Sequence, residues 1–98
     1  MDEQIYHQGI NFEWDVDKAY ANFKKHGVDF QTAVELFFDP FLMALEEKVE
    51  EGEMRHHAVG MTPNWQILFV AFVCRGDDIR LISARLATNS EKKRYERG

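Results

Sequence analysis

The sequence predicts an α+β domain, with helices on one face of a mostly antiparallel sheet, and three observations support this prediction. Two stretches with helical apolar spacing lie within the first 40 of the 98 residues. Four short strand-like stretches separated by turns follow them, and one more precedes them. A capping signature then opens a short helix near the end of the chain. The predicted order is therefore β-α-α-β-β-β-β-α.

The first strand and the first helix are predicted from alternation and capping. Ile10–Trp14 alternates apolar and polar residues, as a half-buried strand does. Asp15 is a favoured N-cap residue, and Gly27 supplies the left-handed conformation that ends many helices. Between them, one apolar stripe with helical spacing is formed by Val16, Ala19, Tyr20 and Phe23. We expect this stripe to pack onto the sheet, so that Phe23→Ala would cost about 3–5 kcal/mol of stability.

The second helix follows at once, with Asp29 as its cap. The helical spacing recurs in Phe30, Ala33, Val34 and Phe37. Pro40 ends this helix because proline disfavours the helical conformation in the residue before it. We expect the Phe37 stripe to pack onto the same sheet face as the first helix.

The second half of the chain changes to strand patterning. Strands are expected at 41–45, 53–61, 66–74 and 79–86, and turns at 47–52, 62–64 and 75–78. The strand at 66–74 is apolar on both faces, as a central strand would be. Thr88 and Glu91 form a T-x-x-E capping box that opens the last helix.

Composition indicates one small globular domain at 10–98, preceded by a polar leader at 1–9 that is expected to be flexible. Hydrophobic residues make up 45% and charged residues 30% of the chain. The leader has no apolar core, and no apolar stretch reaches the length of a membrane-spanning helix. The single cysteine, Cys74, is typical of a reducing compartment, so we expect a cytoplasmic location without membrane association.

Charge is distributed unevenly on a chain of net charge −5. Residues 1–74 carry 5 Lys and Arg against 13 Asp and Glu, whereas residues 75–98 carry 7 against 4. The last quarter is therefore locally cationic. The acidic stretch 46–53 is expected to be a solvated loop or a contact for a basic partner.

Three stretches resemble, in order, the BrnT toxin family. They are "FEWDVDKAYANFKKHGVDFQTAVELFFDP" at 12–40, "MRHHAVG" at 54–60 and "IRLISARLATNSEKKRYE" at 79–96. The resemblance implies a RelE-like fold and an RNA-cleaving toxin of a type II toxin–antitoxin module. It also implies a BrnA-like ribbon-helix-helix antitoxin as partner, through which alone the protein would reach operator DNA.

The function predicted for the chain is therefore metal-independent cleavage of RNA by attack of the ribose 2′-OH. Such a reaction needs a base, an acid and cations that stabilise the phosphorane. The alternative is a non-enzymatic module on the same fold that only binds the antitoxin or acts as a co-repressor. No cofactor is expected.

Arg85 is the principal candidate catalytic residue. Alternation along the strand at 79–86 places Ile82, Ala84 and Leu86 on the core face, and Leu81, Ser83 and Arg85 on a half-open face. A planar guanidinium there can donate to two phosphate oxygens at once. The alternative is a structural pair with a carboxylate such as Glu13 or Glu35. Arg80 is expected at the rim, where it would position the RNA backbone.

Arg55 and His57 are the other candidate catalytic residues. They share one face of the strand at 53–61, while His56 points the opposite way. Arg55 would stabilise the phosphorane, and His57 would transfer a proton, although His26 and Glu91 are also candidates for the base. Adjacent histidines on opposite faces make a poor metal pair, and we predict no metal site.

Lys25, His26, Arg94 and Tyr95 complete the predicted substrate-binding set. Lys25 and His26 are either the cationic last turn of a helix or the rim of the RNA cleft. Arg94 and Tyr95 share a helical face with Glu91. Tyr95 would pack the last helix on the sheet or, alternatively, donate a proton or stack on a base.

Overall fold

A computed structural model describes all residues from 1 to 98. It has one mixed sheet of order β1-β2-β7-β6-β5-β3, with β4 also paired to β5. Every pairing is antiparallel except that of β2 with β7. The α+β class and the mostly antiparallel sheet are therefore confirmed. The elements are β1 Asp2–His7, β2 Ile10–Asp15, α1 Val16–His26, α2 Phe30–Val34, a 3-10 turn Glu35–Phe38, β3 Met43–Ala44, β4 Lys48–Glu50, β5 Glu53–Met61, β6 Ile67–Arg75, β7 Asp78–Leu86 and α3 Asn89–Arg97.

Residues 2–7 form an edge strand, which corrects the expectation of a polar leader outside the sheet. β1 pairs with β2 along its whole length, from Asp2 opposite Asp15 to His7 opposite Ile10. The turn between them, Gln8–Gly9, has positive φ at both residues, as two-residue hairpins prefer. Polar residues are compatible with this strand because it is exposed at the edge of the sheet.

The caps of α1 are as predicted. Asp15 accepts a hydrogen bond from the backbone N–H of Lys18 at 2.9 Å, and Gly27 has φ of 72°. The helix is nevertheless rotated relative to the expected orientation, since Val16, Tyr20 and Phe23 are 39%, 64% and 49% exposed. The prediction that the whole stripe packs onto the sheet is therefore wrong.

Asn22 is the buried residue of α1, and it explains the rotation. Its side-chain amide donates to the carbonyls of Ala84 at 2.8 Å and Val28 at 3.1 Å, and accepts from the N–H of Ala84 at 3.1 Å. β2 pairs with β7 only as far as Arg80, so the edge of β7 is open at Ala84. Asn22 takes the place of a neighbouring strand there, because buried backbone groups need partners.

The second helix and the 3-10 turn bury the predicted stripe. Phe30, Ala33 and Val34 are buried, and the Phe37 ring lies 5.2 Å from that of Phe12 and 5.0 Å from that of Phe72, between centroids. Gly60 of β5 allows this turn to approach, because a Cβ there would lie 3.1 Å from Leu36 Cδ1 and 3.2 Å from the Leu36 carbonyl oxygen.

A register shift in β7 sets which side chains share a face. Ser83 pairs with Ala71 and Leu81 pairs with Phe72, so Ile82 has no partner in β6. Leu81 and Ala84 are consequently both in the core, whereas Leu86 is 53% exposed, which corrects the simple alternation expected for this strand. The extra residue also places Arg80 and Arg85 on the same face of the sheet.

The last helix borders the face opposite α1 and α2. The Thr88–Glu91 capping box is present, as predicted. No residue of α3 is buried; the helix lies beside β5, and its Glu91 pairs with Arg85 of β7. We call this sheet face, which carries Arg55, His57, Phe69, Arg80 and Arg85, the open face.

Candidate active site on the open face of the sheet

The candidate site is centred on the ring of Phe69 in β6. The guanidinium carbon of Arg85 lies 4.0 Å from the centroid of this ring, and the His57 ring stacks on it with centroids 5.5 Å apart. Since β6 lies between β5 and β7, the histidine and the arginine approach Phe69 from opposite sides. We call His57, Phe69 and Arg85 the stacked cluster.

An open pocket of about 490 Å³ lies beside the stacked cluster. Its walls come from the β3–β4 loop, the open face and the beginning of α3. The lining residues are Leu45, Glu46, Glu47, Lys48, His57, Phe69, Thr88, Ser90, Glu91 and Arg94. Of the predicted site residues, His57 and Arg94 line this pocket, and Arg85 reaches its edge through Phe69 and Glu91.

The hydrogen bond of His57 defines which nitrogen can act as a base. Nδ1 lies 2.7 Å from the backbone carbonyl of Glu46. A carbonyl can only accept, so this contact assigns the proton to Nδ1 of the neutral ring. Nε2 then carries the lone pair, and no protein group is hydrogen-bonded to it. This is the tautomer that a general base requires.

Arg85 forms a two-point ion pair with Glu91 of α3. Its terminal nitrogens lie 2.8 and 3.0 Å from the two carboxylate oxygens, and the pair is partly buried. The partner is thus neither Glu13 nor Glu35, the carboxylates suggested by the sequence. The hydrogen bonds from Arg85, together with that from the Thr88 N–H, lower the pKa of Glu91 despite its desolvation. A carboxylate so stabilised is a weaker base, which favours His57 for that role.

Each of the other predicted arginines also faces a carboxylate. Arg55 lies 3.0 Å from Glu50, and its Nε is buried without a partner. Arg94 lies 3.3 Å from Glu46.

Arg80 lies at the opposite end of β7 from Arg85 and outside the pocket. It makes two 3.0 Å hydrogen bonds to Asp2 of β1 and lies 3.7 Å from Glu13. The edge strand therefore supplies an acid to one of the predicted RNA-binding residues. The hydrogen bonds from Arg80 lower the pKa of Asp2.

Three further predicted binding residues also lie outside the pocket. Lys25 and His26 form the last turn of α1 on the helix-covered side of the sheet, where the structure gives them no salt bridge. The Tyr95 hydroxyl donates to Asp39 at 2.5 Å. Burial, followed by the Asp39 carboxylate, raises the pKa of Tyr95 to about 12. This geometry matches the packing alternative for Tyr95, since the contact fixes α3 against the segment before β3.

Phe69 and Glu46 belong to the site but were not identified from the sequence. Phe69 lies in a continuous apolar run, where no pattern distinguishes one aromatic residue from another. Only the pairing of Phe69 with Arg85 across β6 and β7 marks it. Glu46 contributes its backbone carbonyl, a group that sequence cannot reveal.

The structure holds no group of three or more His, Cys, Asp or Glu side chains arranged to bind a metal ion. None of its helices combines the length and the apolar character needed to span a bilayer.

Comparisons with known proteins give one consistent family. Residues 14–91 match the family described as "Ribonuclease toxin, BrnT, of type II toxin-antitoxin system". The 1.1 Å crystal structure of the Brucella abortus ribonuclease toxin BrnT is similar, with a TM-score of 0.58 and 29% sequence identity over 78% of this chain and 94% of that one. Among curated protein sequences, no significant match is found. The family match spans most of the chain, and the chain therefore belongs to the BrnT family of ribonuclease toxins.

Proposed function

We propose that this protein is an endoribonuclease that cleaves RNA without a metal ion, by attack of the ribose 2′-OH on the adjacent phosphorus. Family membership supports ribonuclease activity in general. The observation that supports the finer mechanism is the stacked cluster, in which an unpaired His57 Nε2 and a guanidinium are held by one aromatic ring.

The chemistry assigns one role to each end of the cluster. His57 Nε2 accepts the 2′-OH proton as the 2′ oxygen bonds to phosphorus. The bond from phosphorus to the 5′ oxygen then breaks, and the leaving 5′ oxygen takes a proton from water, which gives a 2′,3′-cyclic phosphate and a 5′-hydroxyl; the His57 imidazolium returns its proton to solvent. Arg85 donates to the phosphate oxygens, on which negative charge increases in the transition state. Arg55, two residues from His57 on the same face, adds positive charge.

The remaining predicted residues act on binding in this proposal. Arg94 lines the pocket and contacts the RNA backbone. Arg80, at the other end of β7 on the open face, contacts the RNA backbone farther along the sheet. Lys25 and His26 contact RNA that runs past the end of β7. Tyr95 contributes by fixing α3, which carries Glu91 and Arg94.

The Glu91 carboxylate occupies the Arg85 site in the absence of RNA. A carboxylate and a phosphate bind a guanidinium with similar two-point geometry. Binding of RNA therefore exchanges one anion for another at Arg85, and α3 loses one of its contacts in the exchange. Removal of the Glu91 charge should then help RNA binding rather than prevent it.

The experiment is cleavage of bulk RNA by purified protein in EDTA, with Arg85→Ala and Glu91→Gln compared. We expect cyclic-phosphate ends, and a rate for Arg85→Ala that is roughly 100- to 1,000-fold lower, as for loss of one donor to a developing oxyanion. Glu91→Gln should retain or exceed the activity of the unmodified protein. A strict requirement for a divalent ion would overturn the mechanism. Equal loss in both variants would make Arg85 a structural residue that only holds α3.

The partner in this proposal is a BrnA-like ribbon-helix-helix antitoxin, and the protein acts in the cytoplasm. A type II toxin family implies an antitoxin. Contact with operator DNA would then pass through the antitoxin, since this chain has a net charge of −5.

A second candidate function is a non-enzymatic module that only binds the antitoxin. It is favoured by one observation, namely that Arg55, Arg80, Arg85 and Arg94 each already pair with a carboxylate. Expression without any partner separates the two candidates. Growth arrest that Arg85→Ala abolishes supports the ribonuclease, whereas unimpaired growth with abundant folded protein supports the binding module.

A further inference from the structure

β3 and β4 together form one interrupted strand along the edge of β5. The pairing of β3 places Ala44 opposite Ala58, and that of β4 places Lys48 opposite Arg55. Three residues, 45–47, therefore face only two residues of β5, so that the edge contains one extra residue. We call residues 45–47 the edge bulge. Bulges turn groups away from the regular ladder and are common beside active sites.

The edge bulge contacts two adjacent histidines of β5 on opposite faces of the sheet. On the open face, its Glu46 carbonyl accepts the hydrogen bond from His57 Nδ1 at 2.7 Å. On the helix-covered face, the Glu47 carboxylate lies 2.7 Å from His56 Nδ1. The His56 ring also stacks on Phe72, with centroids 5.4 Å apart. One short segment thus joins the proposed base to a residue on the other side of the sheet.

Hydrogen bonds, rather than burial, hold the edge bulge in place. None of residues 45–47 is buried. Besides the two histidine contacts, the Leu45 N–H donates to the His57 carbonyl at 2.8 Å, and the Glu46 carboxylate lies 3.3 Å from Arg94. In the proposed function Arg94 contacts the RNA backbone and releases Glu46, which removes one of these attachments.

The contact between Glu47 and His56 remains when RNA is bound, since neither residue contacts RNA in the proposed function. If the edge bulge moved, the Glu46 carbonyl would leave His57, and either ring nitrogen could then carry the proton. We propose that Glu47 and His56 are positioning residues for the base. Their hydrogen bond keeps the Glu46 carbonyl on His57 Nδ1, so that the lone pair stays on Nε2. This inference rests on the proposed function, in which His57 is the base.

Substitution can separate the two contacts of His56. His56→Phe keeps an aromatic ring against Phe72 and removes the hydrogen bond to Glu47. Glu47→Ala removes the same hydrogen bond from the other side, whereas Glu47→Gln retains an oxygen that can accept it. The fold should tolerate these changes, because the Glu47 side chain is 55% exposed and such pairs contribute only about 0–1 kcal/mol. Glu51→Ala is the matched control, since Glu51 is an exposed acid in the next turn and forms no salt bridge.

The first measurement is the tautomer of His57 in the full-length protein. It is read from the ring nitrogen chemical shifts by NMR at about pH 8, where a free imidazole is neutral. We expect the proton on Nδ1 in the unmodified protein, Glu47→Gln and Glu51→Ala, and a mixture of both tautomers in Glu47→Ala and His56→Phe. A proton that stays on Nδ1 in both of the latter variants would overturn the proposal. The same mixture in Glu51→Ala would identify a general effect of charge and would also overturn it.

The second measurement is cleavage of a short RNA in EDTA by the same variants. Glu47→Ala and His56→Phe should lower kcat about tenfold and leave KM unchanged, since a general base contributes roughly 100- to 10,000-fold and only part of this is lost. Glu47→Gln should recover most of kcat. A change in KM alone would assign Glu47 to RNA binding and contradict the proposal. If the unmodified protein does not cleave RNA while its tautomer responds to Glu47→Ala, the ribonuclease proposal fails and the positioning contact stands.

Discussion

The two longer helices lie on opposite faces of the sheet and are attached to it by different physics. α1 is held by neutral hydrogen bonds from Asn22, whose side chain is buried. α3 has no buried residue and is held by Arg85–Glu91, Arg94–Glu46 and Tyr95–Asp39. Neutral buried hydrogen bonds respond little to salt, whereas partly exposed ion pairs are screened by it.

This difference separates the scaffold from the adjustable part of the site. β5, β6 and β7 hold the stacked cluster, and α1 closes the open edge of β7. α3 supplies the pocket wall and the carboxylate on Arg85, both through charges. In our proposal, His57 and Arg85, which contact the reacting phosphate, therefore lie on the strands of the scaffold. Glu91, which RNA must displace from Arg85, lies on the more weakly attached α3.

The largest effect should come from the α1 attachment. Asn22→Ala leaves three buried backbone groups without partners, which should cost about 3–5 kcal/mol of unfolding free energy, measured in urea. Gln31→Ala is the matched control, since Gln31 is an exposed helical amide that makes no side-chain hydrogen bond. A cost below about 1 kcal/mol for Asn22→Ala would mean that α1 is held by something else.

Lowering the pH should detach α3 from the sheet before it detaches α1. Hydrogen bonds from Arg85 lower the pKa of Glu91. Burial raises the pKa of Asp39, but the hydrogen bonds that Asp39 accepts from the Tyr95 hydroxyl and from the backbone N–H groups of Met61 and Phe41 outweigh it, so that this pKa is also lowered. A carboxylate with a lowered folded pKa stabilises the fold above its unfolded pKa and loses that contribution as pH falls through the folded value. As the pH falls through these lowered values, the protection factors of the α3 amides against hydrogen exchange, corrected for the intrinsic exchange rate at each pH, should therefore decrease, while those of residues around Asn22 are retained. Simultaneous release of both helices would contradict the comparison.

A single substitution can test the contact at the end of α3. Tyr95→Phe removes the hydroxyl that donates to Asp39 and should cost about 2 kcal/mol, as for a hydrogen bond to a charged group. Tyr20→Phe provides the control because the Tyr20 hydroxyl has no partner and its side chain is mostly exposed. Activity should fall in Tyr95→Phe only through the position of α3, so higher substrate concentration should recover it. A large fall in kcat would instead make Tyr95 a catalytic residue.

Structural features that depend on neighbouring residues were predicted well from the sequence, and features that depend on contacts between distant residues were not. Both Asp N-caps, the left-handed Gly27 and the Thr88–Glu91 box depend on contacts within about four residues, so the sequence contains all that defines them. The burial of Asn22 depends on an open strand edge at Ala84, 62 residues away. The unpaired Ile82 depends on the register of β6 against β7, which alternation in one strand cannot reveal.

In the candidate site, too, the residues were predicted from their own strands, whereas their ion-pair partners on other elements were not. The position of Arg85 away from the core followed from its own strand, and His57 followed from the face that it shares with Arg55. The carboxylate on each arginine came from other elements, such as Asp2 of β1 and Glu50 of β4. Those contacts are set by tertiary packing, so the sequence suggested the cations without their partners.

The smallest effect should be that of Phe23→Ala, and it tests the orientation of α1 most directly. Had Phe23 been a core residue, the substitution would leave a cavity and cost about 3–5 kcal/mol. The ring is instead 49% exposed, so it gives up only part of the apolar burial and leaves no enclosed void. Alanine also has a higher helix propensity than phenylalanine by roughly half a kcal/mol, which offsets some of the lost contact. We therefore expect a cost of about 1 kcal/mol in urea unfolding, well below that of Asn22→Ala. The reverse order of the two costs would show that the apolar stripe of α1 faces the sheet and that Asn22 does not.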